Sequence, residues 1–426
     1  MTTGSGGGAL VRRVRLGDAV VIGLGSMIGA GIFASFAPAA AAAGAGLLIG
    51  LVIAGFIAFC NATSSAQLAA QYPTSGGTYV YGREQLGAWP GFLAGWSFVI
   101  GKTASSAAMA ITFATYAVPG PWVKPVAIAA VIVLTLVNTL GITRTALATR
   151  ILVALALVAL TVAVVIGFSH TAPTASTPGT AVTVYGVLQS AGFLFFAFAG
   201  YARIATMGEE VVDPVRTIPR AITTALTITL VVYALVALSA LHALGPAGLA
   251  ASAAPLRAVA DTSGAAWPGI VIRIGAAAAS LGALLAMIAG IGRTSLAMAR
   301  NSDIPRWFSA VHPRFSVPYR AELVLGGVVC MLVAVTDLRG AIGFSSFGVL
   351  LYYFVANVSA WTQTRENRRY PRALTVAGAI GCLVLVVTLP PASVVAGVIV
   401  ILVGVAYRAI RLRVQRNGTD ADRTSP

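Results

Sequence analysis

Gly23-Leu-Gly-Ser-Met-Ile-Gly-Ala-Gly-Ile-Phe33 sets four glycines in the middle of the first apolar segment long enough to cross a bilayer. An unbroken helix satisfies its own backbone hydrogen bonds in lipid, and glycines weaken it. Gly25 and Gly29 lie four apart and suit one smooth packing face. Gly23 and Gly31 fall off that face, because residues two apart point roughly 200° apart around a helix. Glycines on several faces therefore read as an unwound segment. Unwound backbone at membrane depth is tolerated only where protein buries it or where it lines a cavity, so the stretch reads as a binding site.

The rest of the chain supplies the membrane. Of 426 residues, 58% are hydrophobic and 9% charged, which excludes a water-soluble globule. Between residues 18 and 409 lie about twelve apolar runs of roughly 17–25 residues, the length that spans a bilayer. Connections are too short for a soluble domain, and the first run is too long for a cleavable signal. Polar residues 1–10 and 417–426 read as disordered tails. The segment 244–266 contains short apolar pieces suited to lid helices. Cys60, Cys330 and Cys382 fall inside apolar runs, with no disulfide or metal pattern.

The net charge of +16 invites a nucleic-acid reading, and its distribution rejects it. With the N-terminus inside and an even number of spans, the cytoplasmic side collects most of the arginines, from Arg12, Arg13 and Arg15 to Arg413, Arg416 and Arg423. The opposite side has Lys124, Arg257 and Arg339. This is the positive-inside bias of a multi-pass protein of the cell membrane with both termini cytoplasmic, and the bilayer is the expected partner of the basic surface.

Five spans after the first interrupted one comes Phe195-Phe-Ala-Phe-Ala-Gly-Tyr-Ala-Arg-Ile-Ala-Thr206, which again puts a glycine among small and aromatic residues at mid-membrane. Interrupted segments at corresponding positions of two halves are the pattern of an inverted-repeat transporter. The expected fold is an all-α membrane protein of about 12 transmembrane helices. A five-plus-five inverted repeat with broken helices 1 and 6 occupies 15–168 and 183–363. Two further helices follow at 371–410, between cytoplasmic tails at 1–14 and 411–426.

Further motifs carry a family resemblance. Tyr72-Pro-Thr-Ser-Gly-Gly-Thr-Tyr-Val-Tyr81 precedes Ala94-Gly95-Trp96. Phe195–Thr206 continues into Gly208-Glu-Glu-Val-Val-Asp-Pro214 and Ile218-Pro-Arg-Ala-Ile222. Ala297-Met-Ala-Arg-Asn301 is followed by Ile304-Pro-Arg-Trp-Phe308 and Val311-His-Pro-Arg-Phe315. With the glycine-rich opening, these resemble the amino acid/polyamine/organocation transporter superfamily over roughly residues 15–320. The sixth-helix run looks most like its cationic amino acid transporter branch. The resemblance implies uptake or exchange of amino acids or related amines. Two positions depart from it: Ala156 stands where some proton-coupled relatives have a lysine, and Arg203 where the branch has a small residue.

An α-amino acid presents a carboxylate and an ammonium. Freed N–H groups at a broken helix start suit the carboxylate, so those of Met27, Ile28, Gly29, Ala30, Gly31 and Ile32 form the expected clamp. Carbonyls near Ser26 and at Phe198, Ala199 and Gly200 are expected to receive the ammonium, with Phe198 and Tyr201 closing around the side chain. Each aromatic taken alone reads first as lipid- or core-facing packing, and the symmetry of the two segments is what points it to the site.

Lys102 lies halfway along the third span, where a cation costs roughly 2.5–3.5 kcal/mol on insertion scales. No carboxylate is central, and removal from water disfavours the charged amine. Three readings stand: Lys102 protonation couples to transport, Lys102 holds the broken helices through their carbonyls, or Lys102 with Arg203 attracts an anionic substrate group. Arg203 and Glu210, seven residues apart on one helical face, form a candidate cytoplasmic gate.

A nucleotide-binding reading of the glycines fails for want of a preceding strand. His170, His242 and His312 lack ligand spacing, so neither metal nor cofactor is expected. Sodium coupling is disfavoured by the missing central carboxylate. The favoured function is secondary active transport of amino acids or small amines, coupled to protons or exchanging. The alternative is a non-transporting polytopic protein, either an embedded enzyme or a sensor.

Overall fold

The computed structural model describes residues 14–72, 76–141, 146–170, 181–201, 204 and 211–424. Among them no strand forms, and one isolated bridge joins Val14 to Val211. Ten helical stretches are long and apolar enough to cross a membrane. Two 17-residue helices, Tyr319–Val335 and Arg372–Thr388, fall at the short end of the spanning range. Together they occupy the places of the twelve expected spans.

The first interrupted segment is three pieces, α1 (Leu16–Met27), α2 (Ala30–Ala34) and α3 (Phe36–Ala43). Then come α4 (Leu47–Gln71), the short α5 (Thr78–Leu86), α6 (Ala88–Ala117), α7 (Val123–Thr139) and α8 (Ala146–Ser169). The second interrupted segment begins with α9 (Val184–Phe198) and a 3₁₀ turn, Ala199–Tyr201. The chain continues through α10 (Pro214–Ala251), α11 (Pro255–Asp261), α12 (Ala266–Arg300), α13 (Tyr319–Val335), α14 (Leu338–Trp361), α15 (Arg372–Thr388) and α16 (Pro391–Thr424). The face where α1 starts is here the N-terminal face, and the opposite one the distal face.

α6 is the hub, packed against both α12 and α14. Small residues make the second contact possible. A Cβ on Gly348 would lie 2.7 Å from the Gly101 Cα, so the two backbones touch there. One turn further on, the hydroxyls of Ser105 and Ser345 hydrogen-bond at 2.5 Å. This seam holds Lys102, next to Gly101, at a fixed depth.

At the N-terminal face a buried carboxylate ties four elements. Asp303, just after α12, accepts from the Tyr79 hydroxyl at 2.7 Å and from Arg83 at 2.9 Å through one oxygen. Its other oxygen faces Arg408 of α16 at 3.1 Å. Arg408 also donates to Ala88 O and lies over the rings of Trp89 and Phe92. Asp303 is 3% exposed and Arg408 5%, so each charge depends on the other in place of water. Near the same face Arg150 of α8 pairs with Asp18 of α1.

Two expectations on the connections resolve differently. The lid pieces of 244–266 are helical: Gly245 (φ 67°) breaks α10, Pro246 restarts it, and α11 follows. The polar residues 417–424, expected as a disordered tail, instead continue α16 to Thr424. A long membrane helix removes the nucleation cost of its own extension, so polar residues beyond the bilayer propagate it readily.

Candidate functional site

The first break falls where the glycines placed it. α1 closes with the Ile28 N–H donating to Leu24 O at 2.6 Å, and Gly29 N–H then reaches back to Met27 O at 2.8 Å. With Ile28 at φ −78°, ψ 60°, this is an inverse γ-turn, and Gly29 caps α2. The expected amide clamp is thereby narrowed. Ile28 and Gly29 spend their N–H groups on the turn itself. Ala30, Gly31 and Ile32, the first residues of α2, have no acceptor within their own helix. Ser26 likewise turns inward, its hydroxyl donating to Ile22 O at 2.9 Å.

The second break lies directly on the first. A Cβ on Gly200 would collide with the Ser26 carbonyl and lie 2.6 Å from Met27 N. Reciprocally, a Cβ on Gly31 would stand 2.6 Å from Ala197 Cα. Two glycines, one from each segment, let the two backbones meet beside their breaks.

Side chains from three surrounding helices stitch that meeting. Tyr233 of α10 sets its hydroxyl 2.6 Å from Met27 O and 3.0 Å from Ala197 O, so one proton serves a carbonyl from each segment. Lys102 of α6 donates its ammonium to Ala199 O at 3.3 Å, and Tyr353 of α14 donates to the same oxygen at 3.3 Å. Lys102 is 5% exposed. The structure thus brings Lys102 to the broken sixth segment, and the Ala199 carbonyl expected to receive a substrate ammonium already accepts from the protein.

The two aromatics expected to close around a substrate are fully buried. Phe198 lies against Tyr233, ring centroids 5.0 Å apart, and Tyr201 stacks on Tyr353 at 5.0 Å. Arg203 and Glu210, the expected gate, lie outside the described residues.

Above this centre, toward the distal face, two adjoining cavities open between α3, α6, the loop before α11 and the start of α14. Their volumes are about 620 and 290 Å³, and they share Thr115, Ala253, Asp337 and Leu338 as walls. Tyr116, next to Thr115 of their wall, is buried. Its hydroxyl donates to Phe33 O at 3.0 Å and accepts from Leu256 N at 3.3 Å, fastening α11 over the α2–α6 contact. Arg273 of α12 donates to Tyr116 O at 3.1 Å and to Ala117 O at 2.6 Å, neutralising the carbonyl end of α6.

Two interrupted membrane segments crossing at their breaks, inside a shell of long apolar helices, are a transporter's arrangement. The amino acid permease family model matches residues 16–411. This chain belongs to that family. It is a multi-pass membrane transporter of the amino acid/polyamine/organocation superfamily. An uncharacterized transporter of Mycobacterium tuberculosis is 57% identical to this permease over 97% of this chain and 94% of its own. Cationic amino acid transporter 7 of Arabidopsis thaliana is 29% identical over 81% of this chain and 64% of its own. The branched-chain amino acid permease BcaP of Bacillus subtilis is 25% identical over 94% and 93%.

Reading the sequence alone missed Tyr233, Tyr353, Tyr116 and the Asp303 cluster. A signal for the tyrosines was present: a phenol inside an apolar span requires a hydrogen-bond partner, and an unwound helix is where free carbonyls are found.

Proposed function

We propose that this permease is a secondary active transporter of amino acids or related small amines, proton-coupled or exchanging. It works by alternating access between an inverted-repeat half at 15–168 and another at 183–363. The amides of Ala30, Gly31 and Ile32 take the substrate carboxylate, and Lys102 carries the coupling proton. The observation that carries this reading is the Lys102 ammonium on Ala199 O, at the point where the two breaks touch. A proton gained or lost there alters the contact between the moving segments directly. The names of the Arabidopsis and Bacillus relatives support an amino-acid substrate. The arginine distribution supports residence in the cell membrane with cytoplasmic termini. The Arg203–Glu210 gate belongs to the same reading, and Arg203→Ala tests it through the transport rate.

The test is uptake of a mixed labelled amino-acid pool by proteoliposomes containing the whole chain, with and without an inward pH gradient. Accumulation accelerated by the gradient is the expected result, and Lys102→Met is expected to remove the acceleration. No uptake or exchange under any gradient would sink the proposal.

A further inference from the structure

Glu322 stands in the first turn of α13, where a carboxylate ordinarily sits in water and complements the helix dipole. Here it does not. Glu322 is 2% exposed and packs onto α12, and its Oε2 is buried without a hydrogen-bond partner. Gly292 of α12 makes the room. A Cβ there would lie 3.0 Å from Glu322 Cγ, 3.4 Å from its Oε1 and 3.3 Å from the Pro318 ring. The carboxyl is therefore pressed between a glycine backbone and a proline, with carbon where water would be.

No cation offsets it. Arg293, the neighbour of Gly292 on α12, is the charged side chain whose field reaches the carboxyl, yet it is itself exposed. Among the described residues no basic side chain comes within ion-pair distance of Glu322. The other elements packed on α13 are α6, α7 and the turn Arg306–Ser309. α7 brings Thr135, which lies against Gly326 one turn along α13 with its own hydroxyl unpartnered, and its one ionisable side chain, Lys124, is at the opposite end. α6 brings Lys102 and Tyr116, which donate to Ala199 O and Phe33 O. Arg306 donates to Ser302 Oγ at 3.2 Å, and Arg320 of α13 itself to the Tyr319 hydroxyl at 3.0 Å. An ionised carboxylate left unpaired in such a place is far costlier than a neutral acid, so the group holds a proton in place of a charge.

We propose that Glu322 is a proton-binding site of this permease, a neutral acid while it lies on Gly292 and a carboxylate when Arg293 reaches it. In the release the acid's O–H bond breaks, the proton passes to water at the N-terminal face, and the carboxylate pairs with the Arg293 guanidinium, so the charge is never left alone. The partly exposed Tyr319 is one turn nearer that face, so the proton has about 5 Å to travel. Gly292 and Arg293 are consecutive, and a small displacement of α12 against α13 exchanges one for the other beside the carboxyl. The inference rests on the transport reading above and adds to Lys102 a second proton carrier, near the N-terminal face.

Two measurements on the full chain in proteoliposomes test it. Infrared difference spectra at neutral pH, parent against Glu322→Gln, report the carbonyl stretch of a protonated carboxyl group directly. The band is expected in the parent and in Arg293→Gln, and is expected to be missing from Glu322→Gln; identical spectra of parent and Glu322→Gln in that region overturn the inference. The second is initial uptake of the labelled amino-acid pool with and without an inward pH gradient at matched membrane potential. Glu322→Gln and Arg293→Gln are each expected to lose the acceleration that the gradient gives the parent. Acceleration equal to the parent's in either folded variant overturns the proposal. Should Glu322→Gln fail to fold, Arg293→Gln decides by the same comparison, since it leaves the acid and its packing in place. A parent that carries the band yet moves no amino acid under any gradient defeats the transport reading and upholds the proton site, because the band reports Glu322 without reference to transport.

Discussion

The Tyr233 hydroxyl lies 2.6 Å from the carbonyl oxygen of Met27, the last helical residue before the first break. The same hydroxyl stands 3.0 Å from Ala197 O, so one side chain from α10 satisfies both interrupted segments where lipid cannot. Removing it is instructive because the aromatic body would remain. Tyr233→Phe leaves the packing on Phe198 intact and takes the hydroxyl from both carbonyls, leaving Met27 O with the Gly29 N–H, a loss of about 1–3 kcal/mol. A lowered thermal unfolding temperature of the solubilised protein, with slower transport, is the expected outcome. Unchanged melting would show that the hydroxyl does not hold the two segments together.

Glycine substitutions separate contact from helix propensity. Gly200→Ala forces a methyl group into the Ser26 carbonyl and is expected to part the two segments and abolish transport. Gly290→Ala, in α12, meets nothing within 4 Å. Relief of glycine's entropy cost there is worth about 0.5–1 kcal/mol, so this variant is expected to transport normally and melt no lower than the parent. Equal behaviour of the two variants in uptake would contradict the close backbone meeting.

The Asp303 cluster makes a prediction at the other end of the molecule. Asp303→Asn removes the charge facing Arg83 and Arg408 while preserving shape. Leaving Arg408 buried without its counter-charge costs about 3–5 kcal/mol. The variant is expected to melt at lower temperature and to expose the C-terminal end of α16 to limited proteolysis, since Arg408 is α16's tie to this cluster. Protection equal to that of the parent would argue that the remaining ties, Arg408 to Ala88 O, Arg411 to Ile304 O and Trp96 to Val400 O, hold α16 without the carboxylate.

Tyr116→Phe tests the distal lid. The change frees Phe33 O and Leu256 N together, loosening α11 from the α2–α6 contact. A cysteine placed at Ala254 beside the cavity is expected to react faster with a membrane-impermeant thiol reagent in the phenylalanine background. Equal labelling rates would remove Tyr116 from any role in closing that side.

Much of the architecture was legible residue by residue. The glycines of 23–31 located the first break to within the turn at Ile28 and Gly29, because backbone that crosses lipid has few ways to be irregular. Gly200 and its small neighbours marked the second by the same logic. Lys102 stood out because a mid-span cation is costly wherever it points. Its contact with Ala199 O was legible only as one of three options, since sequence position sets depth along a helix but not which neighbour faces it. Which amides of the first break stay open was not legible for a related reason: Ile28 and Gly29 close an inverse γ-turn on themselves, which a run of glycines does not announce.

What the linear order of residues determined by itself was depth: apolar runs, glycine interruptions and arginine placement follow from the energetics of single groups in lipid and need no knowledge of neighbours. What only the tertiary structure decided was pairing. The Gly101–Gly348 seam, the Tyr233 bridge and the Asp303–Arg408 tie each join residues more than thirty positions apart. Which helices lie side by side is chosen by the packing of many small side chains at once, and no single residue carries that information.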